Sequence, residues 1–330
     1  MKPFRALSLL LLLVLLASLL FGCTVPATDG TGDGTPFTPT VFTEVVKTAF
    51  EGSYYDQLSP NEKHIYDKVL TLAPGEHELK LTLPEKPAIC KGREPTEAES
   101  DALGQKLSFW AANALYAIWL DHPEIFWIEY GNYSYSYKME GDKDNVVWMT
   151  ELTLTLSVPA GMNDPAKLAA ALSSATADFD PPKGATEEAT VAYINRYLRQ
   201  KITYDLNAAN RGNVLGALVD KRCVCEGYAH AFTMLAKRAG LDAVSIPGYG
   251  TTEEGTEGHM WNAVRIDGAL YAVDVTWNDS TREDAYLLVG SETVCHDMPF
   301  GESHTPDMLT LDDSHKLFAL PAIAPQSYKK

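Results

Sequence analysis

Apolar residues recur at three- and four-residue spacing in the first half of the chain, which predicts helices there. A helix start is expected at Ser59-Pro60-Asn61-Glu62, because Ser59 can act as the N-cap and Glu62 can close a capping box. A second helix is predicted for Thr96 to Leu120, whose large apolar side chains share one face before His122-Pro123 ends it.

The pattern then changes from helical to alternating, which is typical of strands. One face of the first predicted strand carries large residues: Tyr133, Tyr135, Tyr137 and Met139. One face of the second carries aliphatic residues: Leu152, Leu154, Leu156 and Val158. The tyrosine row could bind sugars or peptides, but such rows more often pack against helices.

Helical and alternating patterns return in the second half, after proline-containing connections that indicate a domain boundary. A short helix is predicted around 167–177, and an amphipathic helix over Glu187 to Lys201. The segment that begins at Cys223-Val224-Cys225 predicts a third helix, which Gly240 ends. Two further strands, His259 to Ile266 and Ala269 to Trp277, flank an Asp267-Gly268 turn.

The two-residue turn sets the register of this predicted hairpin. It pairs Ile266 with Ala269, and counting back from there places His259 opposite Thr276. His259 and Asp274 then become diagonal neighbours on one face, roughly 7 Å apart at their Cβ atoms. An imidazole and a carboxylate can form a hydrogen bond across that separation, which is how an orienting acid holds a catalytic base.

Cys225 is expected at the N-terminus of its helix, where unpaired N–H groups and the positive end of the helix dipole stabilise a thiolate. The same N–H groups could hold an oxyanion, with the backbone N–H of Cys225 as one donor. The sequence does not identify a second donor. Together these features predict Cys225 as the nucleophile, His259 as the base and Asp274 as the orienting acid.

Three segments resemble the transglutaminase-like superfamily and occur in the order found in that family. They are Cys225-Glu226-Gly227-Tyr228-Ala229, His259-Met260-Trp261-Asn262 and Val273-Asp274-Val275-Thr276-Trp277. The resemblance covers Thr186 to Asp279. It implies an α+β fold with a papain-like transglutaminase core, in which the helix that bears the cysteine packs on an antiparallel sheet. One departure from the family pattern is Cys223, because the residue two before the nucleophile is often Gly.

This chemistry predicts a thiol acyl-transfer enzyme that acts on peptide or amide bonds, in the first place a cysteine peptidase or amidase. A protein-cross-linking transglutaminase is the second expectation, because an amine instead of water can resolve the thioester. A third is a surface-binding module that kept the fold without catalysis. The expected partner is a protein or peptide substrate, cell-wall-associated proteins included, and no cofactor is expected.

Several other cysteine and histidine residues are of types that bind zinc: Cys223, Cys225, His230, Cys295 and His296. Paired Cys-x2-Cys spacings are missing, so no metal site is predicted. His230 is a poorer candidate base than His259, because no strand-borne acid accompanies it. An oxidising exterior would permit one disulfide among Cys90, Cys223 and Cys295, and the sequence does not choose the pair.

Composition narrows the classes of partner. The chain has 330 residues, of which 45% are hydrophobic, and this is enough to bury a substantial core. Acidic residues exceed basic ones by 44 to 27, which gives a formal net charge of −17. Nucleic acids and anionic lipid surfaces are disfavoured as partners, because both are bound through Lys and Arg.

The N-terminus has the pattern of a targeting segment. Lys2 and Arg5 precede an apolar stretch from Ala6 to Phe21, which leads to Gly22-Cys23. This resembles a bacterial lipoprotein signal, in which cleavage before the cysteine frees it to carry lipid. A retained signal anchor is the alternative, but the apolar stretch spans only about 24 Å as a helix, less than the hydrocarbon core of a bilayer.

The predicted organisation therefore has four parts. Residues 1–22 are a lipoprotein signal peptide and residues 23–40 a flexible tether, since the latter are rich in Thr, Gly, Asp and Pro. Residues 41–160 form a smaller, mixed α/β accessory domain, and residues 165–330 the transglutaminase-like domain, with its core at 186–279. The expected location is extracytoplasmic, with lipid anchoring to the bacterial cell membrane through Cys23.

Lipidation of Cys23 can be tested directly. We expect the mature protein to begin at Cys23 and to partition into detergent, and Cys23→Ser to abolish that partition. Phase separation and N-terminal mass mapping measure both. Membrane retention of Cys23→Ser with an unprocessed N-terminus would instead identify a signal anchor.

Overall fold

The computed structural model describes residues 37–38, 40–42, 50, 52–307, 310–312, 315–316 and 318–328. The predicted signal peptide, Cys23 and most of the predicted tether lie outside these residues. Within the described ranges, none of the helices has the length and apolar character needed to cross a membrane.

The helices agree closely with the periodicity of the sequence. They are α1 (Pro60–Val69), α2 (Glu97–Asp121), α3 (Pro165–Ala175), α4 (Glu187–Lys201), α5 (Cys225–Arg238), α6 (Val275–Thr281) and α7 (Phe300–Ser303). A 3-10 turn (Tyr55–Gln57) precedes α1, and a π-helical segment (Leu215–Asp220) precedes α5. The predicted capping signal at α1 is used, because the backbone N–H of Ser59 donates to Glu62 Oε2 at 2.7 Å.

The strands form two main sheets and three short two-stranded pairs. They are β1 (Glu78–Leu81), β2 (Ala88–Lys91), β3 (Glu129–Gly141), β4 (Val146–Ser157), β5 (Thr203–Tyr204), β6 (Arg222–Cys223), β7 (Ala243–Thr252), β8 (Gly255–Ile266), β9 (Ala269–Val273), β10 (Leu287–Val289), β11 (Val294–Cys295), β12 (Met298–Pro299), β13 (His304–Pro306), β14 (Thr310–Asp312) and β15 (His315–Lys316).

The first sheet is built around β4, which pairs with β3 and also with β1 and β2, antiparallel throughout. The tyrosine row of β3 packs against α2. The Tyr133 hydroxyl donates to the carbonyl of Ser108, and the Tyr135 hydroxyl to that of Gly104, each at 2.8 Å. The row therefore belongs to the packing between helix and sheet.

The second sheet has the strand order β10-β9-β8-β7-β13, with neighbouring strands antiparallel. Helix α5 packs on β7 and β8 through an apolar stripe that includes the buried Phe232, Leu235 and Ala236. A cysteine-bearing helix on an antiparallel sheet is the arrangement implied by the resemblance, and the α+β fold class is confirmed.

The β8–β9 hairpin has the predicted register near its turn, because Ile266 pairs with Ala269. The prediction that β9 continues to Trp277 is wrong. The strand ends at Val273, and Asp274 caps α6 by accepting a hydrogen bond from the backbone N–H of Trp277 at 3.0 Å. A short polar side chain at a helix N-cap competes with strand continuation, so Thr276 lies in a helix and does not pair with His259.

The N-terminal segment contacts the second sheet and its helix through polar bonds. The Tyr54 hydroxyl donates to the carbonyl of Ser245 on β7 at 2.8 Å, and both residues are fully buried. Lys237 of α5 donates to the carbonyl of Asp121 at the end of α2 at 2.5 Å. A cleft between α2 and α5 follows from these contacts.

The first turn of α5 is packed too tightly against the preceding chain to leave room for a side chain at Gly227. A Cβ built there would lie 2.5 Å from Cys223 Cβ and 2.7 Å from the carbonyl oxygen of Arg211. The glycine is therefore required by close approach of the backbone, and it determines how the β6 turn meets the first turn of α5.

Substituting Gly227→Ala should lower the free energy of unfolding by about 1–3 kcal/mol, because overpacking outweighs the gain in helix propensity. Gly131→Ala on β3 is the matched control, since no heavy atom lies within 4 Å of the Cβ position there. Chemical denaturation of both variants measures the difference. Equal stability of the two variants would show that the turn adjusts freely.

Candidate active site

His259 and Asp274 are directly hydrogen-bonded in the interior of the second sheet. His259 Nε2 lies 2.7 Å from Asp274 Oδ2, and their side chains are 5% and 1% exposed. An ionised carboxylate only accepts hydrogen bonds, so Nε2 carries the proton at this contact. Nδ1 is then the ring nitrogen available to exchange a proton with another group.

A second imidazole, that of His304, shares the same carboxylate oxygen. His304 Nε2 lies 3.0 Å from Asp274 Oδ2, and its Nδ1 lies 2.8 Å from Ser303 Oγ. Strand β13 delivers His304 by pairing with β7, where His304 is opposite Gly250. Asp274 therefore accepts from two side chains through Oδ2 and from the α6 backbone through Oδ1.

The electrostatics of this cluster favour a charged pair of His259 and Asp274. Burial lowers the pKa of His259, but the Asp274 carboxylate and a hydrogen bond with Cys225 oppose it and raise that pKa to about 10. Burial raises the pKa of Asp274, yet the two imidazoles hold it well below its ordinary range. Burial lowers the pKa of His304, so this second ring is the neutral one.

The side chain of Cys225 lies near enough to His259 to contribute to raising the pKa of that imidazole. Cys225 is the first residue of α5 and is partly exposed. Val224 occupies the N-cap and has no polar side chain to satisfy the first-turn N–H groups. These N–H groups and the helix dipole can therefore act on a sulfur anion or on an adjacent oxyanion.

Asn262 fixes α5 on the sheet beneath the site. It is 1% exposed, and its Nδ2 donates to the carbonyl of Ala229 and to Thr233 Oγ1, each at 2.9 Å. Thr233 Oγ1 in turn lies 2.9 Å from Ser245 Oγ on β7. This chain of buried polar bonds holds the helix that carries Cys225 at a set height above the strand that carries His259.

Two glycines of β7 provide space for the site. A Cβ at Gly250 would lie 3.2 Å from His259 Cβ and 3.1 Å from the Trp277 ring. A Cβ at Gly248 would lie 2.3 Å from the carbonyl oxygen of Thr305 on β13. Larger residues would displace the His259 ring or the strand that brings His304.

The hydrogen-bonded cluster of His259, Asp274 and His304 consists of residue types that bind metals. The nearest ligand atoms of His259, Asp274 and His304 lie within 4.8 Å of one another, and all three residues are buried. Both imidazoles are directly bonded to one carboxylate oxygen, at 2.7 and 3.0 Å. A bound ion would have to separate groups that already satisfy one another, so the donors fit a hydrogen-bonded relay better than a metal centre.

The remaining cysteines differ from Cys225 in their surroundings. Within the described residues, Cys223 and Cys295 carry free thiols and are buried. Burial raises the pKa of Cys223 far above its ordinary value and that of Cys295 to about 11. Cys90 Sγ lies 3.2 Å from the carbonyl oxygen of Arg93, to which it donates. Neither Cys223 nor Cys295 takes part in a disulfide.

The structure thus brings Cys225, His259 and Asp274 together, and it places His230 elsewhere, on the far side of α5. Sequence reasoning missed His304. It lies 30 positions after Asp274, beyond the segments that resemble the family, and no spacing rule connects it to the site. Burial raises the pKa of Tyr204 to about 12, and negative charge at Cys225 adds to this shift. Tyr204 is therefore a polar neighbour of the proposed nucleophile.

Residues 176–275 match the family model described as the transglutaminase-like superfamily. This part of the chain is similar to transglutaminase-like domains. Over 124 residues the chain is 30% identical to the kyphoscoliosis peptidase of Mus musculus, and 29% identical to that of Homo sapiens. Each of these matches covers 32% of this chain but only 19% of the relative.

The similarity to solved structures is more distant. A crystal structure of a TGase is 16% identical, with a TM-score of 0.28, over 44% of this chain and 51% of that one. The periplasmic domain of TgpA from Pseudomonas aeruginosa is 16% identical, with a TM-score of 0.24, over 42% of this chain and 60% of that one.

The cysteine environments predict an order of reactivity. Iodoacetamide below one equivalent should modify Cys225 before Cys90, Cys223 or Cys295, because Cys225 is partly exposed and near His259, whereas the other three cysteines are buried. Peptide mass mapping after short exposures at neutral pH measures the order. Cys225→Ala serves as the control and should slow total labelling sharply. Faster modification of Cys223 would contradict the assignment of the nucleophile.

Proposed function

We propose that this protein is an extracytoplasmic, lipid-anchored thiol acyl-transfer enzyme that acts on peptide or amide bonds, most simply as a cysteine peptidase or amidase. Cys225 is the nucleophile, His259 the general base and acid, and Asp274 the orienting acid. The observation that carries the proposal is the 2.7 Å bond between His259 and Asp274, and the contribution of Cys225 to the raised pKa of His259 supports it. The anchor rests on the Cys23 signal alone.

Acylation starts with His259 as an imidazolium that already holds, on Nδ1, the proton given up by Cys225. The thiolate sulfur then forms a bond with the substrate carbonyl carbon, and the carbonyl oxygen becomes an oxyanion near the first-turn N–H groups of α5. When the tetrahedral intermediate collapses, the C–N bond breaks and His259 gives its proton to the leaving amine. An acyl thioester on Cys225 remains.

Deacylation reverses these roles. His259 Nδ1 takes a proton from water while the water oxygen attacks the thioester carbon, and Cys225 leaves as a thiolate. Asp274 keeps the proton on Nε2 throughout and stabilises the imidazolium formed in each half-reaction. The buried His304 holds the carboxylate from the other side, which limits the positions that Asp274 can adopt.

Asp274→Asn should leave the fold intact and lower turnover by about 10⁴-fold, because an amide cannot hold the imidazole in the required tautomer. His259→Ala should lower turnover comparably, and the double variant should be little worse than either single one. The substrate is first found by labelling with thiol-reactive peptide and amide probes. Steady-state kinetics and circular dichroism then measure turnover and folding.

Asp297→Asn is the matched control, since Asp297 is exposed and is not one of the residues bonded to Asp274. It should retain wild-type turnover. Near-wild-type turnover of a folded Asp274→Asn variant would contradict the proposed relay. Absence of any Cys225 acyl adduct with every probe would favour a binding module over an enzyme.

A further inference from the structure

A cavity of about 220 Å³ lies between α2, the segment that follows it and the outer face of α5. Most of its lining is apolar or aromatic, with Trp119 and Tyr130 stacked at 4.4 Å between ring centroids. Glu226 and His230 contribute polar atoms from α5. Glu226, which lines the cavity, directly follows Cys225, so the Cα atoms of these two residues lie about 3.8 Å apart.

His230 is the unusual member of this lining. Its side chain is 2% exposed, and neither ring nitrogen has a hydrogen-bond partner among the described residues. Buried polar groups are normally satisfied, and leaving one unpaired costs about 1–3 kcal/mol. Burial alone lowers the pKa of His230 to about 3, so the ring is neutral and offers one lone pair to a donor in the cavity.

Glu226 supplies a carboxylate next to that lone pair. Its Oε1 lies 3.9 Å from His230 Nε2, and its side chain remains 38% exposed. Burial raises the pKa of Glu226 to about 7, although Arg211 and a hydrogen bond from Trp119 oppose the shift. The guanidinium of Arg211 is engaged elsewhere, because its Nη1 donates to the carbonyl of Leu206 at 2.5 Å.

The residues that line the cavity favour a ligand that is a hydrogen-bond donor and carries a positive charge. Among the described residues that line the cavity, none is Lys or Arg, whereas two are glutamates, Glu226 and Glu129. Aromatic faces and a carboxylate together attract a cation, and a desolvated cation–π contact is worth about 2 kcal/mol. The cavity is smaller than the roughly 300–1,000 Å³ of typical small-molecule sites, which suits one side chain.

We propose that this cavity is a recognition subsite for a primary alkylammonium group, presented as a lysine side chain of the polypeptide substrate. The ammonium donates to the Glu226 carboxylate and to the free lone pair of His230, while its methylene chain packs against the stacked pair of Trp119 and Tyr130. The subsite rests on the proposed function for its role in catalysis. Its occupancy by an ammonium group can be measured without turnover.

The subsite differs from an acceptor site for transamidation. An amine held against a carboxylate keeps its proton, and a protonated amine has no lone pair with which to attack a thioester. The cavity therefore selects the substrate and leaves resolution of the thioester to water. The net charge of −17 acts in the same direction, because it raises the local concentration of basic polypeptides.

Binding is tested with the full chain carrying Cys225→Ala, at about pH 8, where Glu226 is ionised and a primary ammonium keeps its proton. The probes are n-butylammonium, Nα-acetyl-lysine N-methylamide and two neutral counterparts, 1-butanol and Nα-acetyl-norleucine N-methylamide. The readouts are the imidazole resonances of His230 and tryptophan fluorescence. Both ammonium probes should give saturable changes, and the neutral probes should bind about tenfold more weakly or not at all.

Glu226→Gln should weaken ammonium binding by about tenfold or more, while Glu257→Gln, an exposed acid on β8 outside the cavity, should leave it unchanged. Tighter binding of the lysine amide than of butylammonium identifies a polypeptide side chain as the source. The reverse order identifies a free amine and overturns the lysine assignment. Equal binding of neutral and cationic probes, or no saturable change, overturns the subsite.

Failure of the subsite and failure of the proposed function give different results. If turnover depends on Cys225 but lysine and norleucine substrates share one KM, the proposed enzymatic function is retained and the proposed lysine subsite is wrong. If ammonium groups bind in the cavity but no acyl adduct forms on Cys225, the proposed binding site is retained and the proposed enzymatic function is wrong. If both the enzymatic function and the lysine subsite are correct, Glu226→Gln raises KM for lysine substrates alone and leaves kcat near its wild-type value.

Discussion

The buried carboxylate of Asp274 is the constraint on which the second half of the structure depends. A carboxylate that is 1% exposed costs several kcal/mol in lost hydration unless its oxygens are fully bonded. His259 from β8, His304 from β13 and the first turn of α6 supply those bonds. Three elements must therefore converge on one side chain, and the strand order of the sheet, the end of β9 at Val273 and the glycines of β7 all serve that convergence.

The position of the thiol depends on a second set of buried polar bonds. Asn262 connects β8 to two points on α5, and Thr233 extends the connection to Ser245 on β7. Apolar packing alone would let the helix slide along the sheet at little cost, because hydrophobic contacts are not directional. The amide of Asn262 removes that freedom, so the distance between Cys225 and the imidazole is set by the same strand that carries His259.

The N-terminal segment contributes to the chemistry of the second half through the cavity between α2 and α5. Tyr54 and Lys237 fix the two parts to each other, and the resulting cleft encloses Glu226 and His230, one turn apart on the nucleophile helix. One face of α5 thus carries the thiol, and another lines an acidic, aromatic recess. A single helix can perform both tasks because residues 225 and 226 point in directions about 100° apart.

Short-range features of the sequence determined much of the secondary structure of this protein. The helix periods, the capping signals and the Asp267-Gly268 turn predicted most of the elements. Cys225, His259 and Asp274 could be proposed as a site because turn register and helix ends follow from short-range geometry. The end of β9 was not predictable, because strand continuation and capping at Asp274 differ little in local energy. His304 and the cavity at His230 were decided only by tertiary structure. Each joins residues far apart in sequence, where loop closure and sheet pairing choose the neighbours and no periodicity extends that far.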